Sequence, residues 1–462
     1  MRKNPMTVKD RIFSAIMEQA NGSGGELQKA LVTTGDGAAL LPYDLDPILH
    51  EELLKVQPLA VLFSVLEAGS KTHEYNVRSS HPQAWFEGEV TPANAKNSVY
   101  ARKTVQMKIQ RIWGSVSGFA QSMDERFIDA LSTELEGSVE GMANILEFGL
   151  MWGTADDIGF TGDPYQYSGL IPRVFSFADG NVVDGGANKI TLPELDEAIA
   201  LSTAFRGVRG DPKVWIMSTR MKQVIDGLQT KVQIPLTESV LAEGRIVMAN
   251  YANVPMLESD YIAPASATTS PAVTATKGAT GSLVDDEYFY AISSVTAYGE
   301  QVAGTENSET TETTNNEVDL TWTADANALL YMIWRGLTTG NANLKLLDII
   351  PALAYDGSGT VSGTIETYTD TGSRDTNTGA LLPAVKPLSD GEEQILLANY
   401  NPRRGGAYLG KIDDMGQQTD RLFSFVELAR VKDTFDYMLK GYLAARLVHP
   451  NLVSVIRHVK LA

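Results

Sequence analysis

The chain of 462 residues contains no cysteine. Disulfide bonds, cysteine-ligated metals and cysteine nucleophiles are therefore excluded, and a reducing cytosol suits such a protein. Long apolar runs are also missing, since none approaches the roughly 20 residues that cross a bilayer. The first residues, MRKNPMTVKDRIFSAIMEQ, carry basic side chains but no continuous apolar core, so they do not read as a secretory signal. We expect no membrane partner.

Motifs that carry chemistry are scarce too. The five histidines have no partner at a metal-binding spacing such as HExxH, and no GxSxG occurs. The stretch TGDGAALLP lacks the GK[ST] of a phosphate loop, and we interpret it as a turn. Neighbouring carboxylates could serve glycoside hydrolysis, but we interpret them as solvated loop residues; they are Asp156–Asp157, Asp285–Asp286 and Asp413–Asp414. We predict no enzyme, no cofactor and no metal.

Basic residues are outnumbered by acidic ones, 38 to 57, which gives a formal net charge of −19. This charge argues against a nucleic-acid reader, because DNA affinity comes mostly from Lys and Arg that neutralise phosphates. The excess is concentrated in the middle of the chain. Between residues 265 and 385 there are four basic and fifteen acidic residues, a net charge of −11. That segment is therefore much more acidic in its charge balance than the rest of the chain.

The chain has enough apolar residues, 43%, for ordinary cores, and its length predicts two or three domains. The clearest helix follows Ser122 and runs to about residue 151, with acidic residues near its start that suit the helix dipole. Its apolar residues recur at steps of three or four, which predicts a single buried stripe; they are Phe127, Leu131, Leu135, Val139, Met142, Leu146 and Leu150.

Other segments favour strands. Residues 67–113 have alternating stretches and few residues that look fully buried, which predicts a two-stranded excursion from the body. Residues 190–262 alternate between helical and strand patterns, as LPELDEAIALSTAF, KVWIMS, TRMKQVIDGLQ and VPMLESDYI, and predict a mixed α/β body.

Residues 264–386 contain only short strand candidates separated by Thr-, Ser- and Gly-rich turns, among them EYFYAISSVTAY, EVDLTW, LLYMIWRG, LKLLDII and TIETYTD. About 120 residues of this kind predict a β-sandwich. Because α/β composition returns afterwards, we interpret the sandwich as an insertion whose ends lie close together at a surface loop.

The order of these elements resembles the major capsid proteins of tailed bacteriophages, whose fold encapsulins share. GDGAALLP at 35–42, GDPYQYSGLI at 162–171 and AARLVHPNLVSVI near the end are similar to stretches of that family, with Ala38-Ala39 and Asn451-Leu452 as departures. The insert resembles immunoglobulin or fibronectin type III domains of phage structural proteins. The fold class implied is α+β: the phage major capsid fold with an all-β immunoglobulin-like sandwich inserted in its axial domain.

The resemblance implies a division of the chain. Residues 1–66 would form the N-terminal arm and first helices, 67–113 the extended E-loop, and 114–189 the peripheral domain with its spine helix at about 123–151. The axial domain would cover 190–263 and 387–425, with the sandwich at 264–386 inserted in it. Residues 426–462 would return through the axial and peripheral domains.

The implied function is self-assembly into an icosahedral shell of pentamers and hexamers that encloses double-stranded phage DNA. The sandwich would be a surface decoration or a stabilising domain. A short leader predicts a separate scaffolding protein, or none, and a portal is expected. The protein would belong to the virion capsid and assemble in the host cytoplasm. Candidate inter-subunit contacts lie in the E-loop and in the turn YNPRRGG; they are Trp85, Phe86, Glu87, Glu89, Arg102, Lys103, Arg403 and Arg404.

Two alternatives stay open at this point. An encapsulin would have the same shell fold but enclose cargo enzymes. A phage tail or adhesion protein would use the sandwich to bind cell-surface sugar. The basic residues at 100–113 and 400–406 could bind phosphate, but in so acidic a chain we interpret them as contacts to acidic neighbours of the same protein.

Overall fold

Most of the chain after residue 58 is described by a computed structural model. The described residues are 59, 62–82, 84, 86, 97–118, 130–155, 159–204, 211–231, 237–241, 246–266, 270–279, 281–356, 360–374, 382–412, 422–428 and 433–461. They all fall in one compact unit. Residues 1–58, most of the segment 1–66 predicted as N-terminal arm and first helices, lie outside them.

Four α-helices occur in the described residues: α1 (Ala130–Trp152), α2 (Leu170–Phe177), α3 (Leu192–Ala204) and α4 (Thr219–Lys231). The strands up to residue 258 are β1 (Val65–Glu67), β2 (Thr72–Ser80), β3 (Val99–Gln106), β4 (Lys108–Ser117), β5 (Val182–Lys189), β6 (Lys213–Met217), β7 (Thr237–Leu241), β8 (Ile246–Tyr251) and β9 (Val254–Glu258).

The predicted insert contains β10 (Thr274–Lys277), β11 (Glu287–Thr296), β12 (Gly299–Glu300), β13 (Asn307–Thr310), β14 (Val318–Thr321), β15 (Ala328–Gly336), β16 (Lys345–Pro351), β17 (Leu353–Tyr355), β18 (Val361–Thr364) and β19 (Thr367–Asp370). After it come β20 (Glu392–Asn399), β21 (Ala407–Lys411), β22 (Ser424–Glu427), β23 (Thr434–Leu447) and β24 (Ser454–Lys460).

A seven-stranded mixed sheet of order β5-β24-β20-β6-β9-β8-β7 forms the α/β body. Strand β6 lies in the middle of this sheet and is fully buried, so the sheet is covered on both faces there. Val214 and Ile216 point into one apolar core, whereas Trp215 and Met217 pack with side chains of α3 and α4 on the other side. The helices and strands predicted for residues 190–262 are confirmed.

A five-stranded sheet of order β1-β21-β23-β22 lies elsewhere in the body, with β4 paired along β23. Two predicted boundaries differ from this pairing. The segment 67–113 includes much of β4, which belongs to this sheet because its Lys108–Ser117 hydrogen bonds go to β23. The segment 387–425, predicted to be axial, divides between β20 in the seven-stranded sheet and β21 and β22 here.

The long helix α1 packs on the inner face of this sheet, but its buried stripe differs from the predicted one. Val139 is 44% exposed, and the buried residue at that turn is Ser138, whose hydroxyl lies 2.8 Å from the Tyr437 hydroxyl. The reason is geometric: each step of four residues advances about 40° around a helix, so two such steps from Leu131 rotate Val139 out of line. Met142, Leu146 and Leu150 are buried as predicted, and Phe127 lies outside the described residues.

The segment 264–386 is all strand and loop in its described part, apart from one short 3₁₀ turn. One sheet has the order β10-β14-β19, and a second has the order β12-β11-β15-β16 with β13 also on β11. Tyr288, Tyr290 and Ile292 of the second sheet share a core with Val318 and Leu320 of the first. Two sheets therefore pack over one core, while the immunoglobulin-like topology stays a prediction.

The two ends of this segment lie side by side. The Ala265 amide donates to the Glu392 carbonyl at 2.9 Å, and the Gly391 amide donates to the Ala265 carbonyl at 2.9 Å. The chain thus leaves the body and returns to it at one place, as an insertion requires.

The second sheet of the insert is buried on both faces. Along β15, Tyr331 and Ile333 point into the insert's own core, whereas Met332 and Trp334 join the large core of the body. That large core also contains Trp152 and residues of α2. The sheet is therefore an inner layer of the molecule, which a domain attached only by a linker would not be.

A buried ion pair ties the insert to the body. Arg457 of β24 holds Glu300 of β12 in a bidentate pair at 2.8 and 2.9 Å, and both side chains are 0% exposed. The same guanidinium donates to the Gln394 side chain at 3.1 Å and to the Lys386 carbonyl at 2.9 Å. A β-bulge accompanies it, because Arg457 and His458 together occupy the place opposite Gln394, and His458 has φ 55°.

A second polar contact joins the insert to the loop after α1. The Asp348 carboxylate accepts hydrogen bonds from the amide and hydroxyl of Thr161 at 2.8 and 2.6 Å, and Arg374 lies 2.9 Å from it. Burial raises the pKa of Asp348, and the Arg374 guanidinium opposes that rise. Both contacts fix the orientation of the insert on the body.

Candidate inter-subunit surfaces

Strands β2 and β3 form an antiparallel ribbon, with Thr72 opposite Gln106 and Ser80 opposite Val99. Among the described residues neither strand pairs with a third strand. Arg102 lies on β3 and forms an exposed ion pair with Glu74 at 3.2 Å, and Lys103 is exposed opposite Tyr75. Most of the ribbon is exposed, whereas Val105 is buried and Tyr75 packs against the same small apolar cluster.

Four of the candidates lie in the sequence between β2 and β3. Phe86 is described, and its side chain is fully exposed. Trp85, Glu87 and Glu89 lie outside the described residues.

The turn YNPRRGG at 400–406 has a defined local structure. The Asn401 carboxamide oxygen caps the 3₁₀ turn Pro402–Arg404 by accepting the Arg403 amide at 3.2 Å. Gly405 ends the turn at φ 91°, where a Cβ would also lie 2.5 Å from the His449 ring. Arg404 is held by Asp211 at 3.3 Å, whereas Arg403 projects into solvent.

The structure brings the ribbon and this turn to the two sides of one open cleft of about 460 Å³. We call it the basic cleft; its basic lining residues are Arg78, His81, Arg403, Arg404, Arg446 and His449. A second cleft of about 450 Å³ is lined by Arg102, Lys103 and Arg173, and it shares Tyr75, Val448 and His449 with the first. All four cationic candidates from the sequence therefore line two adjoining clefts.

Arg446 is the member of the basic cleft that sequence reasoning missed. Only 8% of it is exposed, and its guanidinium carbon lies 3.8 Å from the Tyr75 ring centre and 5.0 Å from that of Tyr408. Burial lowers its pKa, while the two tyrosines oppose that change. Its place in the apolar pattern AARLV suggests only a strand, so the sequence contains no signal for this role.

The electrostatics of the basic cleft contrast with those of the chain. No carboxylate among the described residues forms an ion pair with Arg78, Arg403 or Arg446. A protein of net charge −19 thus places together, in its described part, three guanidinium groups that have no carboxylate partner there. The arrangement is suited to bind an anion.

Other chemistry is not seen in the described part of the chain. No group of three His, Asp or Glu side chains there could hold a metal ion. None of the described helices combines the length and hydropathy needed to span a bilayer.

Comparisons with known proteins bear on both the fold and the family. Residues 57–266 match the family model of the SU10 major capsid protein, while no curated protein sequence matches the chain. Among solved structures, the holo-SrpI encapsulin complex from Synechococcus elongatus PCC 7942 matches with a TM-score of 0.50 and 10% identity, covering 94% of this chain and 98% of that one.

Phage structures also match, at lower scores. Gordonia phage Cozz has a TM-score of 0.47 and 10% identity over 92% of this chain and 94% of that chain. The capsid of cyanophage P-SCSP1u has a TM-score of 0.46 and 8% identity over 91% and 93%. Residues 57–266 thus match a major capsid protein family, and the chain has the α+β fold of the encapsulin structure, both in agreement with the resemblance of the sequence.

Proposed function

We propose that copies of this chain assemble as pentamers and hexamers into a closed icosahedral shell that encloses phage double-stranded DNA. The observation that carries the proposal is the match of residues 57–266 to a major capsid protein family. Contacts between unlike surfaces of neighbouring copies close into rings, and many weak contacts together hold a shell. The protein would act in the virion capsid as a structural component with no catalytic role.

Charge supports a container of this kind. With a net charge of −19, the chain repels phosphates as a whole and would enclose DNA without gripping it. A separate scaffolding protein, a portal and assembly in the host cytoplasm complete the proposal. The encapsulin alternative has the same fold, but the family match names a capsid protein.

For the insert we propose a stabilising layer with an immunoglobulin-like sandwich that also reaches the outer surface. The two-sided burial of its second sheet and the buried Glu300–Arg457 pair support stabilisation. An adhesion role would instead need a sandwich that works independently of the body, which these contacts oppose.

Electron microscopy tests the assembly. The full-length chain is expressed with its neighbouring genes and imaged in negative stain, and extracted particles are assayed for nuclease-protected DNA. Closed shells that protect DNA are expected. Shells that enclose protein and no DNA would favour the encapsulin alternative, and monomers or small rings alone would overturn shell assembly.

The absence of cysteine allows a clean test of the insert's position. Ser362 lies on the exposed strand β18, so Ser362→Cys introduces one reactive thiol. A maleimide polymer too large to enter intact shells is expected to label it. Labelling only after the shells are disrupted would place the insert inside.

A further inference from the structure

The basic cleft contains a buried cation whose hydrogen bonds the described residues do not complete. Arg446 is only 8% exposed, and its Nε atom has no hydrogen-bond acceptor among them. Its guanidinium group lies against the rings of Tyr75 and Tyr408, which attract a cation through their π electrons without neutralising it. A buried cation is unfavourable unless an anion accompanies it, so an anion that enters the cleft would be favoured beside Arg446.

The surroundings of Arg446 are positively charged. Arg78 on β2 and Arg403 in the turn Pro402–Arg404 are both exposed and line the same cleft. Neither the basic cleft nor the cleft that adjoins it has an Asp or Glu among its described lining residues. A concave surface lined by one sign of charge concentrates small ions of the opposite sign, even on a protein whose net charge is −19.

The placement of the three arginines favours phosphate over carboxylate. Arg78, Arg403 and Arg446 come from three different elements, β2, the turn after β20 and β23, so their planar donor groups reach the cleft from separate directions. A carboxylate has two oxygens in one plane, whereas a phosphate group has oxygens that point in several directions. Three positive charges also match a compact ligand with several negative charges, and the volume of about 460 Å³ is typical of small-molecule sites.

Nucleic acid fits the cleft less well than a free phosphate compound. Single-stranded nucleic acid is bound by stacking its bases on aromatic rings, but Tyr75 and Tyr408 already lie against Arg446 and are not free on those faces. The remaining chain is acidic and repels a long phosphate backbone. A compact ligand that lies wholly within the cleft meets neither obstacle.

We propose that the basic cleft is a binding site for a compact polyphosphate, of which pyrophosphate is the simplest, with Arg78, Arg403 and Arg446 as its ligands. The site belongs to the single chain, so the proposal does not depend on shell formation. A bound polyphosphate would supply the negative charge that Arg446 lacks and would stabilise the folded chain by binding it in preference to the unfolded one.

Calorimetry tests the site with pyrophosphate as the probe. Pyrophosphate is titrated into the full-length unassembled chain, and we expect one molecule to bind per chain with an affinity that falls as the salt concentration rises. Arg78→Gln/Arg403→Gln is expected to raise the Kd by about tenfold or more, because two charged hydrogen-bond donors are lost. Both residues are exposed, so this variant keeps the buried core intact.

The matched control is Arg111→Gln/Lys189→Gln. It makes the same change in net charge at exposed positions that line neither cleft, and it should bind pyrophosphate with the wild-type Kd. Absence of binding to the wild-type chain would overturn the proposal. Equal weakening in both double variants would also overturn it, because the effect would then come from net charge and not from the cleft.

Two further ligands test the chemical class. Citrate has several negative charges on carboxylates, and we expect its Kd to be at least about tenfold higher than that of pyrophosphate. Citrate that binds as tightly as pyrophosphate would overturn the assignment to phosphate. A DNA oligonucleotide that binds the wild-type chain more tightly than pyrophosphate, and loses that binding in Arg78→Gln/Arg403→Gln, would show that the cleft is a nucleic-acid site instead.

Chemical protection locates the site without any substitution. Phenylglyoxal modifies exposed arginines, and mass spectrometry of peptides measures the rate at each position. Pyrophosphate is expected to slow modification of Arg78 and Arg403 by about tenfold at saturation, while the exposed Arg111 reacts at an unchanged rate. Equal rates at Arg78 and Arg403 with and without pyrophosphate would place any binding elsewhere and overturn the proposal.

Discussion

At the scale of single residues, Arg457 and Glu300 are the clearest case of a charge that needs its partner. Both are wholly buried, and one of them belongs to the body while the other belongs to the insert. Breaking a buried pair by removing one partner leaves an uncompensated charge, whereas an exposed pair contributes little. The ion pair therefore matters for stability mainly because removing either partner alone would leave the other as an uncompensated buried charge.

We expect Glu300→Ala to lower the free energy of unfolding by about 3–5 kcal/mol. Glu300→Leu/Arg457→Met removes both charges and is expected to recover most of that loss. Glu74→Ala, which breaks the exposed pair with Arg102, serves as the matched control and should cost about 1 kcal/mol or less. Chemical denaturation of the unassembled chain measures all three, and equal losses in the two single variants would contradict the account.

Glu393 gives a prediction about pH. Its Oε1 atom is buried without a hydrogen-bond partner, and burial raises the pKa of the carboxyl group, although the Ser218 hydroxyl donates to it. A carboxyl with a raised pKa binds its proton more tightly in the folded chain than in the unfolded one. Its contribution to stability is therefore greatest below the unfolded pKa and falls as pH rises through the folded pKa.

Glu393→Gln is expected to keep the acceptor for Ser218 and to remove this loss of stability. The difference in the free energy of unfolding between variant and wild type should grow in favour of the variant as pH rises from about 4 towards 7. Denaturation at a series of pH values measures it. A difference that does not change with pH would show that Glu393 is not responsible.

The residue scale also shows where sequence reasoning stops. Arg403 and Arg404 were identifiable because YNPRRGG is a turn motif and turns lie at the surface. Arg446 and Arg457 were not, because each sits in an apolar strand and gains its role from partners distant in sequence, Tyr75 for one and Glu300 for the other. Spacing along a chain does not encode such partners.

At the scale of elements, local periodicity predicted whether a segment is helix or strand better than it predicted the residues at which that segment begins and ends. The strands and helices of residues 190–262 have strong patterns and were predicted correctly. The end of the two-stranded ribbon was not, because β3 and β4 are separated by Met107 alone and differ only in the strand each pairs with. Pairing is a tertiary property that an alternating pattern leaves open.

Two substitutions in helix α1 test which of its residues form the buried apolar stripe. Leu146→Ala, at a residue that is 0% exposed in the large core, should lower the free energy of unfolding by about 2–5 kcal/mol. Val139→Ala, at a residue that is 44% exposed, should cost under about 1 kcal/mol. Denaturation midpoints at unchanged slope measure both, and a larger loss at Val139 would mean that the predicted stripe was right.

At the scale of the whole molecule, the insert is chemically part of the body. Its second sheet supplies Met332 and Trp334 to the core that also contains Trp152. The sequence predicted the insertion from composition, but it could not predict this shared core, because both faces of a buried strand have the same apolar pattern.

We expect deletion of residues 266–390, with Ala265 joined to Gly391, to abolish soluble expression, since it exposes the core and leaves Arg457 unpaired. The control removes only the hairpin β17–β18 by joining Ala352 to Ile365, whose backbone groups are 2.9 Å apart, and should remain soluble. Solubility and thermal unfolding measure the outcome. A soluble, cooperatively unfolding protein after the larger deletion would show the insert to be dispensable.

The neighbouring ends of the insert have a consequence for the history of such a chain. A join at Ala265 and Gly391 makes acquisition of the segment easy, because the path of the older chain need not change. Because Glu300 is the counter-ion of the buried Arg457, removing the segment would leave that charge uncompensated, so removal would not simply reverse acquisition. A chain that lost the segment would also have to replace Arg457 and the apolar surface of the body that the segment covers. Losing this domain would therefore require more simultaneous changes than gaining it.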